Sequence, residues 1–170
     1  LHDVGKPSTM RKTDRIRFNN HDNVGAAVAG RILKRLKAPT VLIERVKTCI
    51  ENHMNFINVK KMRLSTLKKF LGRETIDDEL ELHRVDCLAS HGDYSNHTFL
   101  LEKIEEIQRE NIKPEPLVKG RDLIAMGYTP GPSFGVILEK VYDLQLEETL
   151  TNRQQALEWI EANFDPEKPV

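Results

Sequence analysis

Apolar residues recur at helical spacing along almost the whole chain, and no convincing strand pattern appears, so the periodicity predicts an all-α fold. Val24, Val28, Ile32, Leu33 and Leu36 share one face of a helix that ends before Pro39. Thr40 can cap the next helix, in which Val41, Ile43, Val46 and Ile50 run to His53. A Lys-rich segment over residues 59 to 71 closes at Gly72, a suitable C-cap. Thr75 with Asp78 three residues on predicts a capping box for a helix through His91, on which His83 and Asp86 lie one turn apart. Residues 98 to 111 predict a further amphipathic helix. A loop around NIKPEPLVKG, with Pro114 and Pro116, then separates a body of residues 1–112 from a tail of residues 113–170. The tail predicts three short helices: residues 120 to 126 closed by Gly127, residues 133 to 146, and residues 151 to 162 opened by Thr151 with Gln154. Leu123, Ile124, Phe134, Val136, Ile137, Leu138, Val141, Leu144, Ala156, Leu157 and Trp159 supply a small core, modest for independent stability, so the tail is expected to pack on the body.

The residues that carry chemistry recur at intervals along this helical frame. His2 and Asp3 form a doublet ahead of a Gly-Lys-Pro turn, and an imidazole beside a carboxylate offers two ligands suited to borderline divalent metals. Lys6, one helical turn away, suits an anionic substrate. One doublet alone reads equally as a polar helix end. A second doublet, His21-Asp22, with His53 and with Asp86 in LHRVDCLASHGD, gives four segments able to converge, which a metal centre needs because one helix turn presents only two ligands on a face. His83, His91 and His97 surround Asp86 in sequence.

HD-x-G-K-P, F-x-x-H-D-x-x-G-A, N-H-M and R-x-D-C-L-A-S-H-G together resemble the HD superfamily of metal-dependent phosphohydrolases. More closely, the chain resembles the HD domain of bacterial CCA-adding tRNA nucleotidyltransferases and their poly(A) polymerase relatives. The tail, with Gly-x-Asp-Leu and then Gly-x-x-Pro-Gly-Pro ahead of a long helix, is similar to the C-terminal segment of the same enzymes. The resemblance implies an HD-type helical bundle with a small C-terminal helical appendage. It also implies a divalent ion (Mg, Mn, Ni, Co or Zn) held by His2, Asp3 and Asp86 together with a histidine upstream of Leu1. Asp3 would also orient the attacking water and Lys6 would meet a substrate phosphate. His21 and His53 match the extra histidines that hold a second metal in some HD enzymes; with one metal, the favoured reading, they contact substrate or serve as acid. The implied reactions are hydrolysis of phosphate monoesters and 2′,3′-cyclic phosphodiesters. No Gly-Ser motif followed by paired aspartates occurs, so nucleotide addition, with its nucleotide substrate, is expected of a head domain outside these residues, and the chain reads as a fragment of a longer protein. A noncatalytic RNA-binding or architectural module of the same polymerase is the competing expectation.

Charge points to the partner. Residues 1 to 73 carry 17 Lys and Arg against 5 Asp and Glu, a net of +12, whereas residues 74 to 170 carry 9 against 21, a net of −12. No acid interrupts residues 52 to 73, where Lys60, Lys61, Arg63, Lys68 and Lys69 are the candidates for contact with tRNA or another RNA 3′ end, nor residues 23 to 43, with Arg31, Lys34, Arg35 and Lys37. The alternative is that the two halves neutralise each other on folding. No apolar run reaches membrane-spanning length and no membrane partner is expected. Cys49 and Cys87 fall in apolar helical patterns and read as reduced core thiols of a cytoplasmic protein.

Overall fold

The computed structural model describes residues 1–90 and 92–166, apart from the side chains of residues 109 and 110. Helix dominates, as the periodicity predicts: α1 Lys6–Thr9, α2 His21–Arg35, α3 Thr40–Asn52, a 3₁₀ segment His53–Lys61, α4 Leu64–Leu71, α5 Ile76–Ser90, α6 Ser95–Ile107, α7 Arg109–Ile112, α8 Gly120–Ala125, α9 Pro132–Leu146 and α10 Arg153–Asn163. A two-stranded antiparallel hairpin, β1 Arg11–Lys12 and β2 Ile16–Arg17, pairs Arg11 with Arg17 and Lys12 with Ile16. The sequence reading missed it because strands of two residues are too short to show alternation. Two compact units result: Leu1–Lys61 with Arg73–Lys103, and Met62–Gly72 with Ile104–Val170.

In the first unit α2 and α3 form the central pair. Their contact is built from small residues: Gly25, Ala26 and Ala29 are buried, and Ala26, Ala29 and Ile50 form one cluster with Val46 against it. Small side chains let two helix backbones approach closely, so the buried stripe of α2 differs from the one its larger residues mark. Val24, Val28, Ile32 and Leu33 are only half-buried, and Leu36 is exposed. Thr40 is the first residue of α3 rather than its cap; Pro39 holds the cap position with no side-chain bond. Cys49, Phe56, Val59, Leu80, Cys87 and Leu100 complete the buried apolar set of this unit. Burial raises the Cys49 thiol to about 11, and both cysteines are free and buried, consistent with reduced core thiols.

The start of α5 also departs from the sequence reading. Thr75 gives its hydroxyl to Glu79 at 2.6 Å, while Asp78 pairs with Arg45 of α3. Glu79 is fully buried, and besides Thr75 it receives Asn52 Nδ2 at 3.1 Å and lies 3.1 Å from Arg73. A buried carboxylate is tolerated only when so partnered.

In the second unit α8, α9 and α10 enclose Val118, Leu123, Tyr128, Ile137, Val141, Leu150, Ala156 and Ile160. α10 is capped by Asn152, whose Oδ1 accepts from Gln155 N at 3.0 Å, and Gln155 Oε1 reaches back to Thr151 N at 3.0 Å. The cap expected at Thr151 with Gln154 is therefore displaced by one residue, because Asn152 fills the role better. The single Lys-rich helix expected over residues 59 to 71 is instead the end of the 3₁₀ segment followed by α4, with Gly72 as its C-cap. The helix expected over 98 to 111 starts at Ser95 and breaks at Gln108, where φ is 62°.

Candidate metal centre

Four segments of the first unit bring their polar side chains to one place. The N-terminal turn carries His2 and Asp3. A close backbone seat fixes it: a Cβ on Gly5 would lie 2.2 Å from His21 O and 2.7 Å from Gly25 N, so only glycine lets this turn rest on the start of α2. Gly25 returns the fit, since its own Cβ would lie 3.4 Å from His2 O. Asn20, in the left-handed conformation at φ 64°, turns the chain into α2, so that His21 emerges at the first helical position and is buried. The end of α3 supplies His53, and the middle of α5 supplies Asp86.

Asp3 lies at the centre. Its Oδ2 accepts from Lys6 Nζ at 2.6 Å and stands 3.4 Å from His2 Nε2; its Oδ1 is 3.6 Å from His21 Nε2. Burial works against its ionisation, but the Lys6 bond and the neighbouring His2, Lys6 and His21 outweigh burial and hold the carboxyl below its ordinary value. Asp86 Oδ1 lies 3.2 Å from His2 Nε2. Despite both carboxylates nearby, His2 Nε2 is a buried nitrogen with no hydrogen-bond partner.

His21 Nδ1 is 2.7 Å from Phe18 O, and His53 Nδ1 is 2.6 Å from Ile50 O. A carbonyl only accepts, so both Nδ1 atoms carry the proton, and in the neutral rings both Nε2 atoms are bare lone pairs. Those two atoms face each other at 3.1 Å. Burial lowers the His53 pKa, and the neighbouring His21 and His2 lower it further against the opposing bond to Ile50. Two lone pairs at this separation repel, and either a proton or a metal cation between them relieves the repulsion. The backbone carbonyls therefore do what outer partners of metal-binding histidines do: they fix the tautomer and aim Nε2 inward.

Two donor groups follow among the described residues, Asp3 with His21 and His53, and His2 with Asp3 and Asp86; within each, the ligand atoms all lie within 4.8 Å of one another. The mixed imidazole and carboxylate set fits a divalent cation of the Mn, Co, Ni or Zn kind. Asp3 belongs to both groups.

His83, by contrast, stacks on Phe56 with centroids 4.5 Å apart and belongs to neither group; His97 also lies outside them, and His91 is outside the described residues. Residues that the sequence reading did not single out line the rest of the site. An open cleft of about 560 Å³ bounded by Asp3, Lys6, His21, Asp22, His53 and Asp86 is completed by Arg15, Ile16, Arg17, Phe18, Asn19, Asn20 and Met54. The basic hairpin sequence RKTDRIR was the available signal.

The basic candidates divide. Lys60 donates to Ser95 at 3.0 Å, and Lys61 and Arg63 are exposed. Lys68 is buried and paired with Glu148 at 2.9 Å; Lys69 pairs with Asp143 at 2.6 Å and Glu139 at 3.4 Å. Part of the charge asymmetry is thus neutralised inside the second unit.

The family described as tRNA nucleotidyltransferase domain 2 matches residues 21–160. The chain is 31% identical over 161 residues to the CC-adding tRNA nucleotidyltransferase of Thermus thermophilus, covering 92% of this chain and 37% of the relative. It is 29% identical over 174 residues to the A-adding tRNA nucleotidyltransferase of Deinococcus radiodurans, covering 95% of this chain and 39% of the relative. The chain thus spans less than half the length of these curated relatives. No solved structure matches significantly. No helix among the described residues is long and apolar enough to cross a membrane.

Proposed function

Because the chain belongs to the tRNA nucleotidyltransferase domain 2 family, we propose that it is the HD-type portion of a cytoplasmic CCA-adding or poly(A) polymerase enzyme and hydrolyses phosphate monoesters or 2′,3′-cyclic phosphodiesters at RNA 3′ ends. The observation that carries the hydrolase reading is the convergence on Asp3 of three histidine Nε2 atoms: that of His2 is enclosed 3.4 Å from Asp3 and 3.2 Å from Asp86 without a hydrogen bond, and those of His21 and His53 face each other at 3.1 Å. His2, Asp3 and Asp86 would hold a divalent ion; His21 and His53 with Asp3 would hold a second or, with one ion, face the substrate. Such an ion, when bound, lowers the pKa of water and polarises a phosphoryl oxygen.

The chain's own residues supply the rest. Asp3, kept ionised by Lys6 and its histidine neighbours, accepts a hydrogen bond from the attacking water and orients it. Lys6 and Arg15 set cations among the carboxylates of the cleft, where a phosphate can meet them. A purely architectural module has no need of three imidazole nitrogens gathered about one carboxylate. Nucleotide addition belongs to a head domain in the rest of the protein, as the length of the relatives suggests. RNA contact outside the cleft falls to Lys60, Lys61 and Arg63, since Lys68 and Lys69 are engaged in ion pairs.

The test is hydrolysis of a 2′,3′-cyclic nucleotide by the full-length protein with Mg, Mn, Co or Ni. Activity that Asp3→Ala lowers by orders of magnitude, with folding retained, supports the reading. Absence of activity with every metal favours the noncatalytic module.

A further inference from the structure

The hairpin between α1 and α2 carries four cations, Arg11, Lys12, Arg15 and Arg17, of which only Arg15 and Arg17 line the cleft, and local bonding separates these two. Arg17 Nη2 grips both oxygens of Asp14, at 2.9 and 3.0 Å. Thr13 ties the tip together, its N donating to Arg15 O at 3.3 Å and its hydroxyl to Asp14 Oδ1 at 2.7 Å. Arg17 is thus committed through Nη2 to holding the hairpin's shape, although its Nε is buried without a hydrogen-bond partner. Arg11 does not line the cleft, whereas Arg15 does, and among the described residues the Arg15 guanidinium has no hydrogen bond or ion pair. Its backbone is fixed by the turn while its side chain is uncommitted, which is how a protein presents a cation for an incoming anion.

The same cleft wall carries two apolar side chains that the fold leaves uncovered. Ile16 is 55% exposed and Met54 38% exposed, and both line the cleft with Arg15. An apolar surface beside a cation, with a volume of about 560 Å³, matches the two halves of a nucleotide, a base face and a phosphate. Lys6 is already bonded to Asp3 and lies at the donor cluster, so the phosphate under attack belongs there. Arg15, on the separate hairpin, is left for a different phosphate.

We propose that Arg15 is a specificity residue that grips the phosphodiester next to the terminal phosphate of a single-stranded RNA 3′ end, with Ile16 and Met54 supporting the base between. The inference deepens the phosphohydrolase reading and rests on it for the place of the terminal phosphate. Its chemical content is a preference for an oligonucleotide end over a free nucleotide, because only the former has a second phosphate for Arg15.

The probe is a short, fluorescently labelled oligoribonucleotide ending in a 3′-phosphate, compared with a nucleoside 3′-monophosphate as competitor. Binding to the full-length protein is followed by anisotropy in EDTA, so that no turnover intervenes. Arg15→Ala should weaken the oligonucleotide about tenfold and lower its log K against log salt slope by about 0.7, the value for one phosphate contact on a single strand, while leaving the mononucleotide within about twofold. Arg11→Ala removes the same charge from the same hairpin away from the cleft and should leave both within about twofold. Equal weakening by the two substitutions indicates diffuse steering and overturns the proposal, as does an unchanged affinity in Arg15→Ala or an equal loss for both ligands. Hydrolysis of a cyclic mononucleotide separates the two readings. If it is robust while Arg15→Ala binds the oligonucleotide normally, the hydrolase stands and the role of Arg15 falls. If it is absent while Arg15 still discriminates the oligonucleotide, the cleft is a binding site for RNA ends and the hydrolase falls.

Discussion

His21 Nε2 and His53 Nε2 face each other at 3.1 Å, each ring locked by its own Nδ1 bond to a backbone carbonyl. This relationship joins residues 32 positions apart, and under the proposed function the site is more stable with a cation than without one. Added Mn, Co, Ni or Zn should therefore raise Tm, by the equivalent of about 2.7 kcal/mol at a hundred times Kd. His53→Ala should reduce that increment while leaving the metal-free protein little changed or slightly more stable. A metal increment equal to that of the parent protein would show that His53 is not a ligand.

The pH dependence of stability follows from the same pair. Burial holds the His53 pKa in the folded chain below its ordinary 6.5. Between the folded value and 6.5 the unfolded chain binds the extra proton, so stability is full above 6.5 and declines as pH falls toward the folded pKa. The slope from this one residue is at most about 1.4 kcal/mol per pH unit. Asp3, held below 3.8, acts lower: its contribution is present above 3.8 and is lost as pH falls through its folded value. Urea titrations in EDTA across pH 5 to 8 should show the decline, and His53→Gln should flatten it. An equal slope in the variant would contradict the assignment.

Gly5→Ala tests the seat of the N-terminal turn. The added Cβ meets backbone atoms at 2.2 and 2.7 Å that no side-chain rotation can relieve, so the turn must lift from α2 and carry Asp3 away from His21. We expect a cost of about 1 to 3 kcal/mol, the usual range for overpacking, together with loss of the metal-dependent rise in Tm. Retention of both would mean that the turn can shift without opening the site.

The sequence named the candidate residues that the fold brings together but not their arrangement. His2, Asp3, His21, His53 and Asp86 were legible because doublets and late acids recur at recognisable spacing, and the helical period announced the fold class. The carbonyl locks at Phe18 and Ile50 were not legible, since any residue offers a carbonyl. Nor was the role of Gly5, which depends on how closely one backbone approaches another. The buried stripe of α2 was misassigned for a related reason: close helix contact favours Gly25, Ala26 and Ala29 over the larger Val and Leu that dominate a periodicity count. His83 gave a false signal, being one turn from Asp86 yet stacked on Phe56.

Two lysines from one basic run should behave differently. Lys68 is buried against Glu148, whose side chain is 69% exposed and remains hydrated without it. Lys68→Met should therefore cost less than about 1 kcal/mol and leave tRNA affinity and its salt slope unchanged. Lys61→Glu, on an exposed position, should weaken tRNA binding and reduce the slope. Both effects can be read from tRNA binding at 50 to 200 mM salt, and a loss of slope in Lys68→Met would reverse the assignment.

The most direct measurement is an anomalous difference map from crystals of the full-length protein soaked in Mn²⁺. The account predicts a peak coordinated by Asp3 together with His2 and Asp86, with any second peak between His21 and His53. A map with no peak at these residues, or with manganese bound only elsewhere, would contradict it.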